Sequence, residues 1–188
     1  MGKYRTVVID PPWEIVLCNP EHCKGPITEK LPYEVMSDNA LFNFNISQFA
    51  GDECDLFMWT TKAKLHTAFH LLKAWGFHYS NLMVWNKKDG LCTNGFHNTL
   101  EFVLHGYRGK NNVDFTKPLE VYFEAKRLKH SQKPDIFYNT LLKVTSPLRV
   151  DLFARRRHVG FEPWGNEVES EPTTLLSVVS KSNEEVSP

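Results

Sequence analysis

With 188 residues, 22 basic and 22 acidic, the chain has no formal net charge, which argues against a large non-specific phosphate-binding footprint while leaving room for a local basic patch. The length suits one domain with a sizeable core, and an aromatic content of 13% is globular rather than low-complexity. Cys18, Cys23, Cys54 and Cys92 match no strong zinc spacing, and no apolar run is long enough to span a bilayer, so a soluble cytoplasmic protein with free thiols is expected.

In chain order, the run Val7-Val8-Ile9 before Asp10-Pro11-Pro12-Trp13 predicts a short buried strand. Two prolines cannot donate to a ladder, so the strand must stop at Asp10, leaving an acid at a strand's carboxyl end. A polar loop follows, with Pro20, Gly25, Pro26 and Pro32. Cys18, His22 and Cys23 read as loop residues rather than metal ligands. Ser37-Asp38-Asn39 looks like a helix start, with Leu41, Phe44 and Ile46 on its apolar side. Asp55 to Trp59 reads as a second buried strand. Lys64 to Trp75 is the clearest helix, with Leu65, Ala68, Phe69 and Leu72 on one face and Gly76 as its stop.

Strands are then expected at 81–85, 100–106 and 119–125, the first two separated by a polar loop from Asn86 to Asn98. A helix from Pro134 to Val144 carries Phe137, Leu141 and Val144 on one side. Arg149 to Phe153 and Val159 to Trp164 complete the strands. Such alternation implies an α/β domain over residues 1–168, with a mostly parallel sheet covered by helices on both faces. Residues 169–188, rich in Glu, Ser, Thr and Pro, read as a disordered tail. No G-x-G-x-x-G and no P-loop is present, which argues against a dinucleotide or nucleoside-triphosphate enzyme. The eight histidines show no metal spacing, and no metal is expected.

The chemistry concentrates at Asp10-Pro11-Pro12-Trp13. An exocyclic amine on adenine is a poor nucleophile, because its lone pair is delocalised into the ring. Acceptors on its two N–H groups favour a tetrahedral nitrogen and free that pair. The Asp10 carboxylate and the Pro11 carbonyl can supply them, Pro12 fixes the backbone path, and Trp13 can stack on the ring. A base in a duplex must be flipped out to reach such a pocket.

These residues resemble those of the MT-A70 family, S-adenosylmethionine-dependent adenine-N6 methyltransferases, and the likeness continues along the chain. Leu31-Pro32-Tyr33-Glu34-Val35-Met36-Ser37 resembles L-P-Y-x-x-M-S, and Leu56-Phe57-Met58-Trp59 resembles L-F-L-W. Trp85 resembles an I-W strand end, and His130-Ser131-Gln132-Lys133-Pro134-Asp135 resembles the H-x-K-P-D helix start. Asp151-Leu152-Phe153-Ala154-Arg155 resembles E-L-F-(A/G)-R, and Trp164-Gly165-Asn166-Glu167 resembles W-x-x-x-G-N-(E/Q). The resemblance implies a Rossmann-like methyltransferase sheet of about seven strands, with the catalytic strand first and the cofactor strand last.

It further implies that Asp10 and Pro11 bind the target amine and that Asp10 also lies near the cofactor's methionine end. Lys133 would pair with the cofactor's carboxylate. Arg155, His158 and Asn166 would contact ribose hydroxyls, with Arg157 in the same cofactor-facing turn. Glu167 would lie near the cofactor's adenine, and Asp151 would order the basic groups. Tyr33, Trp59, Trp85, Asn98 and Glu101 would shape the substrate side. Trp59 and Trp85 read equally well as core residues, and Arg156 reads as a phosphate- or solvent-facing side chain. Arg156, Arg157 and His158 stand where eukaryotic members carry Pro, His and Asn. Nucleic acid is the expected partner, DNA favoured over RNA, with a homodimer or partner subunit also envisaged. Alternatives are an RNA adenosine methyltransferase, a non-catalytic nucleic-acid-binding subunit and, third, N4-cytosine methylation.

Overall fold

The computed structural model describes residues 2–14, 34–90, 92–93, 96–127 and 132–165, with residues 92–93 described by backbone alone. The expected tail, and Tyr33, Asn166 and Glu167, lie outside the described residues, as do Cys18, His22 and Cys23.

The first strand is β1 (Tyr4–Ile9), which ends where the prolines require it. Next come α1 (Asp38–Phe42), capped by the Ser37 hydroxyl accepting from Ala40 N at 3.2 Å, and the long strand β2 (Ala50–Thr60). α2 (Leu65–Ala74) leads into β3 (His78–Asn86). The loop expected from Asn86 to Asn98 contains a small hairpin, β4 (Cys92–Thr93) and β5 (Phe96–His97). Then follow β6 (Leu100–Arg108), β7 (Tyr122–Glu124), α3 (Asp135–Val144), β8 (Arg149–Leu152) and β9 (Glu162–Trp164). The strands at 119–125 and 159–164 are thus shorter than their apolar runs suggest: β7 and β9 are sheet edges with one ladder each.

Seven strands form one sheet in the order β7-β3-β6-β2-β1-β8-β9. Only β6 runs against its neighbours; β1 is parallel to both β2 and β8. Each face has its own core. Val7, Ile9, Leu56 and Met58 point to the side covered by α1 and α2, where Leu41, Ala68, Leu71 and Leu72 meet them. Val8, Phe57 and Trp59 point to the other side, under Phe137, Leu141 and Val144 of α3. This is period-two alternation in two-sided strands, and it gives the doubly covered architecture expected from the sequence.

One helix face differs from expectation. Leu71, not Phe69, joins Ala68 and Leu72 in the core. Phe69 is 37% exposed and packs edge-on against Tyr79 at 5.1 Å. At 100° per residue, positions 69 and 71 fall on opposite margins of the stripe set by 65, 68 and 72, and it is Leu71 that joins the core on the sheet.

At the end of the sheet remote from the strands' carboxyl termini, Asp55 is fully buried. Its two oxygens lie 2.9 Å from His105 Nε2 and 2.8 Å from the Asn112 amide, and His105 stacks on Phe57 at 4.6 Å. The carboxylate thereby ties β2, β6 and the 109–114 loop together. Asp55→Ala would take a partner from the buried His105 ring and from the half-buried Asn112 amide, and an unfolding free energy lower by about 3 kcal/mol is expected in urea titrations.

Candidate active site

Asp10 directly follows β1, and its amide donates to Leu152 O of β8 at 3.3 Å. β1 and β8 are neighbours whose chain connections leave in opposite directions across the sheet: β1 leads to β2 on one side and β8 to β9 on the other. Open α/β sheets form their ligand crevice at such a switch point, outside the strands' carboxyl ends. A cleft lies there, lined by Asp10, Lys133, Tyr138, Asp151, Arg155 and His158, among others.

The two prolines act through their carbonyls. Pro11 O accepts from Trp13 N at 2.7 Å, which closes a tight turn and leaves one carbonyl lone pair without a backbone donor among the described residues. Pro12 O accepts from Met36 N at 2.8 Å, pinning the far end of the intervening loop. Trp13 is 4% exposed in the core, and its indole N–H donates to Trp59 O at 3.1 Å. Its ring, expected to stack on a ligand, is instead an anchor for the turn that carries Asp10.

Lys133, just before α3, reaches across to β1 and β6. Its Nζ is 3.2 Å from Asp10 Oδ1 and 2.8 Å from Glu101 Oε2, and lies 4.8 Å above the Trp59 ring. A second cation, Lys87, sits 3.1 Å from Glu101 Oε1. Burial alone would push the Glu101 carboxyl up, but the two ammonium groups outweigh it and hold it down at about 2. Asp10 goes the other way. Burial raises it above the usual carboxylate range, Lys133 and Arg155 pull it back only in part, and the Glu101 charge adds to the rise. The difference follows from sharing: Glu101 has two close ammonium groups, while Asp10 has the longer contact to one of them and Arg155 Nε at 4.0 Å. Lys133 is held charged: burial opposes it, but its two carboxylate neighbours prevail.

Asp151 lies on β8, 3% exposed, with the Tyr138 hydroxyl donating to it. Burial pushes its carboxyl up to about 8; the Tyr138 bond opposes this and the negative charge on Asp10 adds to it. His158 stacks on Tyr138 at 3.3 Å and 11°, and burial with the nearby Arg156 charge lowers it to about 4. Arg156, expected to face phosphate or solvent, turns inward instead: it donates to Lys133 O at 3.0 Å and pairs with Asp135. It thus sits on the first turn of α3, where the acid Asp135 draws it. Arg157 is the exposed member of the triplet.

Arg155 reaches the site through a strained turn. Phe153 adopts φ 59, uncommon for a bulky residue, and turns the chain out of β8. Rings of Phe44 (5.5 Å) and Trp164 (5.4 Å) hold it. Gly165 closes on the same turn so tightly that an added Cβ would lie 2.7 Å from Ala154 O. Neither Phe153's conformation nor Tyr138's contact with Asp151 was signalled by the sequence; the Gly of the last motif was the one available cue.

Of the expected site residues, Asp10, Lys133, Asp151, Arg155 and His158 line one cleft, and Glu101 joins it through Lys133. Trp59 and Trp85 are core residues, the latter donating to Ala125 O at 2.9 Å. Asn98 stays on the rim, with its side chain 3.4 Å from Phe96 O. Among the described residues no three His, Cys, Asp or Glu are placed to hold a metal ion, and no helix is long and apolar enough to cross a membrane.

The family model MT-A70 matches residues 4–167. The chain belongs to the MT-A70 family. It is 28% identical to the type II methyltransferase M.MunI of a Mycoplasma species over 185 residues, covering 88% of this chain and 78% of that protein. It is 25% identical to the N(6)-adenosine-methyltransferase catalytic subunit METTL3 of Homo sapiens over 171 residues, covering 85% of this chain and 27% of that protein. An N(6)-adenosine-methyltransferase MT-A70-like protein of Arabidopsis thaliana is 25% identical over 179 residues, covering 89% of this chain. The chain spans only 24% of that plant protein's length. The sheet, with its single antiparallel strand, is the Rossmann-like methyltransferase form expected of the family.

Folded Asp151 keeps its proton up to about pH 8, whereas an unfolded Asp loses it near ~4. Between these values the folded state binds more protons, so stability falls as pH rises. Asp151→Asn removes that dependence: its melting temperature should exceed the parent's at pH 8 and match it near pH 4, measured by thermal unfolding across the range.

Proposed function

We propose that the chain transfers a methyl group from S-adenosylmethionine to the N6 amine of adenine in nucleic acid, DNA favoured over RNA. The observation that carries this reading is the placement of Asp10 at the switch point, beside the Pro11 carbonyl and between Lys133 and Arg155.

The donor set fits the cofactor. Its methionine end is a zwitterion and its ribose carries hydroxyls. Lys133 and Arg155 offer cations for the carboxylate; Asp10 and Asp151 offer acceptors for the ammonium and hydroxyl groups. The buried Arg156 Nε, which has no hydrogen-bond partner among the described residues, adds a donor in the same cleft. S-adenosylmethionine, when bound, supplies a methyl group on a sulfonium centre. Asp10 and the Pro11 carbonyl each accept one N6–H, so the amine nitrogen keeps its lone pair for the methyl carbon. The surplus proton passes to water: Asp10 acts as a hydrogen-bond acceptor rather than a strong base.

The preference for DNA is supported by the likeness to the type II methyltransferase M.MunI, 28% identical against 25% for the adenosine methyltransferases. Zero net charge further suits recognition through a localised surface rather than a broad basic one.

Incubation with labelled cofactor and matched single-stranded DNA, duplex DNA and RNA, followed by nucleoside mass analysis, should yield N6-methyladenine from DNA. Product from RNA alone would reassign the substrate. Cofactor binding without product on any of the three would favour a non-catalytic subunit. Asp10→Ala should abolish methylation while retaining the parent's circular dichroism.

Since burial raises the Asp10 carboxyl and protonation removes its acceptor function, the rate should fall as pH drops through a value above the ordinary Asp range of ~4. An acid limb at or below that range in a pH–kcat/KM profile, which reports the free protein, would refute the role.

A further inference from the structure

The connection from β3 to β6 emerges on the same side of the sheet as Asp10, because β3 runs in the sense of β1 and β6 returns against it. The β4–β5 hairpin stands in this connection, and Glu101, one of the two carboxylates around Lys133, follows it on β6. Phe96 pairs with Thr93 beside the hairpin turn and is 68% exposed. Lys62, just after β2 on the same side, places its Nζ 5.5 Å over the Phe96 ring. Among the described residues Lys62 makes no ion pair.

The fold does not account for this exposed ring. A hairpin with two residues per strand is marginal by itself, and its support comes from its base. There Lys87 N donates to Thr99 O at 2.8 Å, and Gly90 lies so close to Asn98 that an added Cβ would be 2.3 Å from Asn98 O. The base is a tight backbone crossing and the ring projects beyond it. An exposed aromatic ring with an ammonium 5.5 Å from its centroid matches a nucleotide, which offers a π-face and a phosphate together.

We propose that Phe96 and Lys62 form a stacking platform on which a base neighbouring the target adenine rests, Lys62 taking the adjoining phosphate. This rests on the reading of the chain as acting on nucleic acid. The platform positions the strand and takes no part in the methyl transfer. Its sequence tolerance follows from chemistry, since every base has a π-face.

The test is binding of a fluorescent single-stranded oligonucleotide to the full chain by anisotropy, across a salt series. Phe96→Ala should weaken binding about 10-fold, Phe96→Trp should restore it, and Phe96→Leu, which keeps apolar bulk without a π-face, should not. Lys62→Gln should lower the salt slope by about one, whereas Phe96→Ala leaves the slope unchanged. Calorimetric affinity for S-adenosylmethionine should stay at the parent value in all four variants. Parent-like binding by Phe96→Ala, or rescue by Leu as complete as by Trp, overturns the platform. Methylation that persists alongside such indifferent binding sinks the platform alone. Phe96-dependent binding without methylation supports the platform and sinks the enzymatic reading, and a parent chain that binds no oligonucleotide overturns both.

Discussion

The site depends on one ammonium group. Lys133 lies between Asp10 after β1 and Glu101 on β6, with the Trp59 ring of β2 beneath it. It belongs to the segment entering α3, so a single side chain fastens that helix to three strands. A buried pair of this kind adds little stability over an apolar replacement, because desolvation offsets attraction. What it contributes is position. Two carboxylates sharing a cation cannot both be neutralised by it, and Glu101, with Lys87 as well, takes the larger share. Asp10 is left under-compensated, which is the condition for a carboxylate to seek further hydrogen-bond donors such as the N–H groups of an amine.

The other half of the cleft is held by backbone constraint. Phe153 in the left-handed region costs on the order of 1–3 kcal/mol, and its neighbours maintain it: Phe44 and Trp164 clamp the ring, and Gly165 alone can approach the Ala154 backbone so closely. The chain leaving β8 is thereby turned so that Arg155 Nε comes within 4.0 Å of Asp10, while Arg156 is drawn to Asp135 and Arg157 is left outside. The three consecutive arginines thus have three environments, set by the geometry of one turn.

Much of this was legible in the sequence. The proline pair marked the end of β1, Ser37 marked the start of α1, and the two-sided apolar runs marked a sheet covered on both faces, because each rests on a local rule that tertiary context seldom overrides. Motif resemblance located Asp10, Lys133, Asp151 and Arg155 in one cleft. What stayed hidden depends on contacts between distant segments. Phe69 and Leu71 lie on opposite margins of one helical stripe, and only the packing of the helix on the sheet decides between them. Trp13 reads as a ligand platform until its N–H is seen to meet Trp59 O. Arg156 reads as solvated until α3 brings Asp135 to it. Edge strands are overestimated because an apolar run says nothing about how many partners it will find.

Asp151 and Asp10 extend the same logic to energetics. Both are buried acids raised above their ordinary values chiefly by burial, Asp10 just after β1 and Asp151 on the adjacent β8, and the Asp10 charge adds to the rise of Asp151. In the unliganded protein this is an unfavourable arrangement, relieved by keeping a proton on Asp151 with the Tyr138 hydroxyl beside it. A ligand that brings positive charge and hydroxyl donors into the cleft offsets the burial that raises both acids, and by linkage its affinity grows as pH rises and those protons are lost. The stability that the buried acids withhold from the fold reappears as selectivity for a cationic ligand, because a neutral one of the same shape would leave both carboxyls as poorly compensated as before.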